Sequence, residues 1–238
     1  MILDKLEFEP LTAVNRFGVY CIPEQFKDRE VSRLLLAAKV NEPRTLELIR
    51  NYARQHDVIS GGAFVGDFLP AISTALAEGA VLHSFEPNPP SFQAAQATIA
   101  LNRLTNVHLH PTAVGAKADT LPLQVARPNG AELGGMSTIV ESPTAGRTID
   151  VPVVPLDDLV DPDRSVSVLH LDVEGYEWQA LEGAARVISQ NAPLLVLEAT
   201  TSRPSAEDEA WLNERHPDLG YRLMGRMERN AIYVPTQA

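Results

Sequence analysis

Residues 57–68, DVISGGAFVGDF, decide the fold class of this 238-residue chain. The β-branched run DVIS enters a glycine-rich turn, and the chain leaves that turn in a segment with helical periodicity. Glycine permits a sharp backbone bend and lets a ligand approach without meeting a Cβ atom. A strand, a glycine turn and a helix in this order are typical of folds that hold a nucleotide-like cofactor at the carboxyl end of the strand.

Strand and helix patterns alternate along the rest of the chain. After DVIS, strands are predicted for the segments AVLHSFEP, NVHLHPTAVG, SVSVLHLD and APLLVLEAT. This alternation predicts a doubly wound α/β fold, in which crossover helices cover a parallel sheet. The tail, YRLMGRMERNAIYVP, predicts two further strands joined by a turn at residues 228–230, and therefore an antiparallel edge.

Two predicted helices follow the strands that matter most for function. The first is expected at about residues 67–77, and Pro70 is tolerable there only in the first turn. The segment EWQALEGAARVIS predicts a single helix with its apolar residues on one face.

Two regions fall outside the alternation. Residues 1–56 contain two segments with helical periodicity, so we expect an N-terminal helical cap on a single compact domain of residues 57–238. Residues 127–147 are rich in Gly, Ser, Thr and Pro and show little periodicity. They fit an ordinary surface loop, and they also fit a mobile lid over an acceptor site, because long loops in compact domains are often functional.

Composition excludes several function classes. Twenty basic against 31 acidic residues give a formal net charge of −11, and no basic run is present, so nucleic acid is not an expected partner. Cys21 is the only cysteine, which rules out an internal disulfide and a cysteine-based zinc cluster. No apolar run approaches the roughly 18 residues that a membrane span needs. The N-terminus lacks a signal-peptide pattern, and a cytoplasmic location is expected.

Glu86 lies at the end of the second predicted strand, 24 residues after Gly62. A carboxylate there can accept hydrogen bonds from both hydroxyls of a cofactor ribose, and the alternative is an exposed acid before Pro87. The turn lacks the lysine of a phosphate-binding loop. Asp67 at the helix start would repel a pyrophosphate. S-adenosylmethionine fits better, because it carries a ribose and an ammonium group but no phosphate, and a dehydrogenase is the alternative.

The segment LHLDVEGYEW brings polar residues to the end of the fourth predicted strand. His170 and Asp172 are two residues apart and point to the same side, and Glu174 follows at the strand exit. Glu198 ends the fifth strand on the same rim. Because a hydroxyl is a poor nucleophile until its proton is removed, His170 is the candidate base, and Asp172 would orient either His170 or the substrate. The alternative is a packed neutral histidine beside helix-capping acids. We predict no metal site, although the three carboxylates offer oxygen ligands.

Five motifs in this order resemble the FkbM family of S-adenosylmethionine-dependent methyltransferases, over about residues 57–200. They are VISGGAFVGDF against the family's V-x-D-x-G-A-x-x-G, then FEPNP, AVG, VPLDDL, and LHLDVEGYEWQALEGA against K-I-D-V-E-G-x-E-x-x-x-L-x-G-A. The resemblance implies a class I methyltransferase (Rossmann-like) fold with strand order 3-2-1-4-5-7-6. It also implies methylation of a hydroxyl on a sugar or a natural product.

The resemblance assigns roles to individual residues. The glycine turn would line the methionine part of the cofactor, Glu86 would hold the ribose, and Asn88 with the backbone of residues 113 and 114 would lie near the ribose and adenine. The candidate cofactor-binding residues are Gly62, Ala63, Phe64, Gly66, Asp67, Glu86, Asn88, Ala113, Val114 and Asp172. The candidate catalytic residues are His170, Asp172, Glu174 and Glu198.

Two positions depart from the family pattern. Ser60 stands where the family has the first-strand aspartate, and His170 stands where it has the lysine before I-D-V-E-G. We expect Asp67 to supply the charge that Ser60 lacks. The expected partner is a small-molecule acceptor, a glycoside. We also consider a non-sugar hydroxyl or amine, a non-catalytic cofactor-binding protein, and assembly as a homo-oligomer.

Overall fold

The computed structural model describes residues 6–53, 55–140, 145–199 and 205–237. The strands in these ranges are β1 (Pro10–Asn15), β2 (Gly18–Pro23), β3 (Asp57–Gly61), β4 (Leu82–Phe85), β5 (Val107–His110), β6 (Ala113–Val114), β7 (Asp119–Ala126), β8 (Thr138–Ile139), β9 (Arg147–Val154), β10 (Val166–Leu171), β11 (Leu194–Glu198), β12 (Arg222–Met227) and β13 (Asn230–Val234). The α-helices are α1 (Glu30–Leu36), α2 (Pro43–Ala53), α3 (Leu69–Ser73), α4 (Pro89–Leu101), α5 (Leu156–Leu159), α6 (Glu177–Glu182), α7 (Ala185–Asn191) and α8 (Ser205–Arg215).

Seven strands form the central sheet in the order β5-β4-β3-β10-β11-β13-β12. Numbered along the chain within this sheet, the strands read 3-2-1-4-5-7-6. β13 runs antiparallel to both of its neighbours, as the tail pattern predicted. The chain direction across the sheet reverses between β3 and β10, which pair in parallel. Ligands of open α/β sheets bind outside the carboxyl ends of the strands at such a switch point.

The strands around the switch point are buried on both faces. Every residue of β3 and β4 is buried, and so are all but one of β10 and of β11. Such burial is typical of parallel strands covered by helices on both sides. This burial places the strand ends, and the polar residues that follow them, on a rigid base.

The sequence predicts a purely helical cap for residues 1–56, but the N-terminal segment also contains two strands. The two helices are present as α1 and α2, but β1 and β2 precede them as an antiparallel hairpin. The hairpin packs on α4, where the Cys21 amide donates a hydrogen bond to the Thr98 hydroxyl at 3.1 Å. The hairpin is stabilised by contacts with residues far along the chain. The short apolar segments that form it therefore show no clear strand periodicity of their own.

A second sheet, missed by the sequence analysis, covers part of residues 127–147. Its strands lie in the order β6-β9-β7-β8, so this segment is framed by strands rather than being one long loop. Residues 141–144 lie outside the described residues. β7 and β9 are antiparallel partners along most of their length, which explains why they are stable despite weak local patterns.

Two helices differ from their predicted lengths. The first crossover helix, α3, is limited to Leu69–Ser73, with Pro70 in its first turn. The segment EWQALEGAARVIS forms two helices, α6 and α7, rather than one. The break falls at Gly183, where a Cβ atom would lie 2.0 Å from the Gly115 carbonyl oxygen. None of the helices in the described ranges is both long enough and apolar enough to cross a membrane.

Candidate functional site

The turn after β3 packs directly against the chain that leaves β10. Gly62 has a φ of +78°, and a Cβ atom at this residue would lie 1.9 Å from the Asp172 carbonyl oxygen. Gly66 closes the turn, with a φ of +80° and its amide donating a hydrogen bond to the Ala63 carbonyl at 2.6 Å. Glycine is therefore required at Gly62 both by backbone conformation and by space.

Glu86 points inward from the end of β4 and is only 5% exposed. One carboxylate oxygen accepts a hydrogen bond from the Phe64 amide at 2.8 Å, and the other accepts one from the Asn88 amide at 2.8 Å. Burial raises the pKa of Glu86 to about 8, against the lowering effect of these two hydrogen bonds. The alternative of an exposed acid is therefore wrong. Each oxygen retains a second lone pair for a ligand.

A first cavity of about 460 Å³ lies beside Glu86. Phe85, Val114 and Tyr176 give it apolar walls, and Ala113 and Gly62 also line it. The first cavity thus combines one buried acid with surfaces suited to a flat, apolar group.

A second cavity of about 850 Å³ lies on the other side of the turn. Gly62, Gly135, Asp172 and Glu174 line both cavities, so the two cavities meet at these residues. The turn residues Ala63 and Phe64 face the second cavity. Residues from distant parts of the chain complete it, and they are Arg29, Glu30, Val31, Asn41, Glu42 and Arg229.

Carboxylates dominate the second cavity. Burial raises the pKa of Glu174 to about 7 and that of Asp67 to about 6. Burial also raises the pKa of Asp172 well above its usual range, and the nearby Glu198 and Glu174 add to the shift. One oxygen each from Asp172, Glu174 and Glu198 lie within 4.8 Å of one another. Such a group attracts cations and holds protons near neutral pH.

The predicted catalytic residues are brought together at this point. Asp172, Glu174, Glu198 and His170 all line the second cavity. Glu174 has a φ of +53°, and its carbonyl oxygen accepts a hydrogen bond from the Thr138 hydroxyl at 2.8 Å. The second sheet therefore helps to fix the backbone at Glu174.

His170 is 4% exposed and has the surroundings of a neutral imidazole. Its Nδ1 atom lies 3.0 Å from the Ser60 hydroxyl, and its ring stacks on Phe68 with the centroids 5.2 Å apart. Burial lowers the pKa of His170 to about 4. The ring is therefore uncharged at neutral pH, which agrees with the packed neutral histidine considered as the alternative.

Asp67 lies in the same cavity as Ser60, as its expected role requires. The Asn41 side-chain amide donates a hydrogen bond to one of its carboxylate oxygens at 3.0 Å. Asp67 is therefore oriented by the segment between α1 and α2, a contact that the sequence pattern did not indicate.

Asn88 lines neither cavity, and its side-chain amide instead donates a hydrogen bond to the Ser137 hydroxyl at 3.0 Å. Ser137 in turn donates to the Gly134 carbonyl at 2.7 Å. Gly135 packs closely on the Phe64 ring, since a Cβ atom at Gly135 would lie 3.1 Å from Cγ of Phe64. Asn88 thus holds residues 134–137 beside the two cavities that they line.

Sequence reasoning missed several residues that line the cavities. Tyr176 lies in the motif LHLDVEGYEW, four residues after Asp172, and this position in the motif could have predicted that it lines the site. Arg29 and Arg229 gave no signal, because they lie near opposite ends of the chain. Arg229 forms a salt bridge with Glu30 at 2.5 Å, which joins the C-terminal hairpin to α1 beside the second cavity.

This sheet order, with an inward-facing acid after the second strand of the sheet and a glycine turn after the first, defines a class I methyltransferase. The model of the methyltransferase FkbM domain matches residues 60–223. The chain therefore belongs to the FkbM family of S-adenosylmethionine-dependent methyltransferases.

Solved structures of similar fold agree with this class. A methyltransferase FkbM from Methylobacillus flagellatus KT is 20% identical with a TM-score of 0.54, and the match covers 76% of this chain and 43% of that one. TYW2 from M. jannaschii in complex with AdoMet is 10% identical with a TM-score of 0.52, covering 96% and 88%. WT Trm5b from Pyrococcus abyssi is 12% identical with a TM-score of 0.51, covering 96% and 55%.

The chain thus spans less than two thirds of the length of two of these three proteins. At these identities the similarity supports the fold. No curated protein matches the chain.

Proposed function

We propose that this protein transfers a methyl group from S-adenosylmethionine to a hydroxyl of a sugar or of a glycosylated small molecule. The observation that carries the proposal is the meeting of the two cavities at Gly62 and Asp172. With the nucleoside part of the cofactor in the first cavity, and its methionine part and the acceptor in the second, the reacting atoms would lie at this junction. Methyl transfer needs a nucleophile held in line at near-contact distance, which such a junction provides.

The first cavity fits the nucleoside part of the cofactor. Glu86 has unused lone pairs for the ribose hydroxyls after its two amide hydrogen bonds. Phe85, Val114 and Tyr176 offer apolar surface for the adenine ring. The glycine turn would line the methionine part, and Asp67 in the second cavity would pair with the ammonium group. When bound, the cofactor supplies a methyl group on a positively charged sulfur atom.

The carboxylates of the second cavity are the candidate proton acceptors. A general base works best when its pKa lies near the working pH. Burial raises the pKa of Glu174 to about 7, whereas burial lowers the pKa of His170 to about 4. We therefore assign the removal of the hydroxyl proton to the group formed by Asp172, Glu174 and Glu198.

The acceptor class follows from the walls of the second cavity. Six acidic residues line this cavity, and they are Glu30, Glu42, Asp67, Asp172, Glu174 and Glu198. Carboxylates accept hydrogen bonds from the several hydroxyls of a sugar. They also suit a cationic acceptor, so an amine is the second candidate. They would repel a phosphate backbone, and we propose no nucleic acid partner. A cytoplasmic location and a homo-oligomer stay predictions from the sequence.

The purified protein tests this function directly. Release of S-adenosylhomocysteine is measured with S-adenosylmethionine and a panel of deoxysugar glycosides, matched non-sugar alcohols and amines. Turnover on glycosides supports the proposal. Turnover only on non-sugar compounds would identify the second acceptor class, and cofactor binding without turnover on any compound would identify a non-catalytic protein.

A further inference from the structure

The two departures from the family pattern contact each other. Ser60 on β3 and His170 on β10 are paired in register on adjacent parallel strands. Each is only 4% exposed, and the Ser60 hydroxyl lies 3.0 Å from Nδ1 of His170. Both side chains line the second cavity. The departures therefore form one unit in the structure, although 110 positions separate them in the sequence.

The formal charge of the pair is the same whether the two positions hold serine and histidine, as in this chain, or aspartate and lysine, as in the family pattern. The aspartate and lysine of the family pattern carry opposite charges that sum to zero, and neutral serine and histidine also sum to zero. An aspartate beside the neutral imidazole would add a buried carboxylate to a cavity already lined by carboxylates, which costs several kcal/mol. In this chain the pair is joined by a neutral hydrogen bond.

Hydrogen-bond accounting favours one direction for that bond. The Ser60 hydroxyl carries one hydrogen, and among the residues that the structure describes its one partner is Nδ1 of His170. The nearby Ser84 hydroxyl donates instead to the Ser60 carbonyl oxygen at 2.6 Å. If Ser60 donates to Nδ1, then Nδ1 carries no hydrogen, and the hydrogen of the neutral imidazole is on Nε2.

In that tautomer Nε2 is a donor, on a ring that lines the second cavity. Stacking on Phe68 fixes the plane of the ring, and the Ser60 bond fixes its rotation in that plane. Within the described residues Nδ1 is the ring nitrogen that has a hydrogen-bond partner. Because a donor cannot remove a proton, this geometry explains why His170 is unsuited to the role of base that its position suggested.

We propose that Ser60 is a positioning residue that holds His170 as the Nε2–H tautomer, so that His170 donates a hydrogen bond to an oxygen of the ligand in the second cavity. The oxygen belongs either to the carboxylate of the cofactor or to the acceptor. The identity of this ligand rests on the proposed function, whereas the tautomer does not depend on it.

Nitrogen NMR of the ¹⁵N-histidine-labelled protein tests the tautomer without turnover. The chain has six histidines, and the His170 signals are assigned by their loss in His170→Gln. We expect Nδ1 of His170 to be unprotonated and Nε2 to be protonated at neutral pH. Ser60→Ala should give a mixture of tautomers, and Ser60→Thr, which retains the hydroxyl, should restore the single form. A protonated Nδ1 in the unaltered protein would overturn the proposal.

Binding measurements then identify the oxygen. Calorimetry with S-adenosylhomocysteine compares Ser60→Ala with Ser60→Ala/His170→Leu, a pair in which only the second variant lacks the imidazole and neither leaves a buried hydroxyl unpaired. About tenfold weaker binding in the double variant would assign the cofactor carboxylate. Unchanged binding with an acceptor KM raised about tenfold would assign the acceptor. If neither quantity changes, His170 donates to no ligand and the proposal fails.

Discussion

The carboxylate of Glu86 accepts a hydrogen bond from the Phe64 amide at 2.8 Å, and so joins the end of β4 to the glycine turn after β3. The acid proposed to hold the ribose therefore also orders the backbone proposed to line the methionine part of the cofactor. Phe64 has a φ of +45°, an uncommon conformation for a residue with a side chain. Its ring supports residues 134 and 135, so the acid, the turn and the covering segment form one connected structure.

Cofactor binding should release a proton from Glu86. Burial raises its pKa to about 8, so the carboxyl is largely protonated at pH 7, and hydrogen bonds from ribose hydroxyls favour the ionised form. We expect calorimetry with S-adenosylhomocysteine in two buffers of different ionisation enthalpy to show proton release at pH 7, and affinity to increase between pH 7 and 9. Glu86→Gln should bind about tenfold more weakly and release no proton. Binding that is independent of the buffer would contradict this assignment.

Gly62→Ala should damage the site more than an ordinary glycine substitution. The new Cβ atom would lie 1.9 Å from the Asp172 carbonyl, so the junction of the two cavities must move. We expect a loss of about 3 kcal/mol in unfolding free energy and loss of cofactor binding. Gly79→Ala is the matched control, because its φ is +84° and its Cβ would meet nothing within 4 Å. It should cost about 1 kcal/mol and leave binding intact. Equal losses in the two variants would show that space at Gly62 is not the cause.

Restoring the family residues tests whether Ser60 and His170 act as a unit. Ser60→Asp alone adds a buried carboxylate to a cavity lined by carboxylates and should lower the unfolding free energy by about 3 kcal/mol. His170→Lys alone buries an ammonium group that these carboxylates partly compensate, so it should cost less. The double variant pairs the charges, so it should lose much less than the sum of the single losses. Urea denaturation of the four proteins measures the coupling. Additive losses would mean that the two positions are independent.

The pH dependence of the rate should follow a carboxylate rather than the imidazole. Burial raises the pKa of Glu174 to about 7, helped by Glu198 and Glu177 and opposed by Arg229. Because a base acts only when deprotonated, kcat should rise with pH through about 7. His170→Gln should keep this rise, and Glu174→Gln should flatten it. A profile that changes in His170→Gln and persists in Glu174→Gln would return the role of base to the histidine.

A buried ion pair at the opposite end of the sheet should stabilise the protein above pH 4. Burial alone would raise the pKa of Asp57, but hydrogen bonds from Arg164, at 2.6 Å, and from His83 and the Val81 amide hold it well below its usual range. A lowered folded-state pKa stabilises the protein above the unfolded value of 3.8, and this contribution is lost as the pH falls below it.

Arg164→Gln should therefore cost about 2 kcal/mol at pH 7, a moderate value because Arg164 is partly exposed, and less at pH 3. Arg222→Gln breaks an exposed pair with Glu209 and should change stability by less than about 0.5 kcal/mol. Thermal unfolding at both pH values makes the comparison. A cost for Arg164→Gln that is independent of pH would exclude the ion pair as its source.

Local patterns in the sequence determined the central sheet and the residues at its carboxyl edge. The strands β3, β4, β10 and β11 are short segments between turn residues, and they are buried on both faces of a parallel sheet. The motif around Asp172 predicted which carboxylates lie on the rim, because residues just after neighbouring parallel strands must meet at one edge. The hairpin formed by β12 and β13 was predicted for the same local reason.

Only the tertiary structure decided which distant residues share the cavities. The hairpin of β1 and β2 and the second sheet depend on partners far along the chain, so local periodicity was too weak to predict them. The contact between Ser60 and His170 arises from strand register, and it turned a predicted base into a buried neutral ring. Local periodicity records which face of a strand is buried, but side-chain pKa values depend on the neighbours that packing brings together.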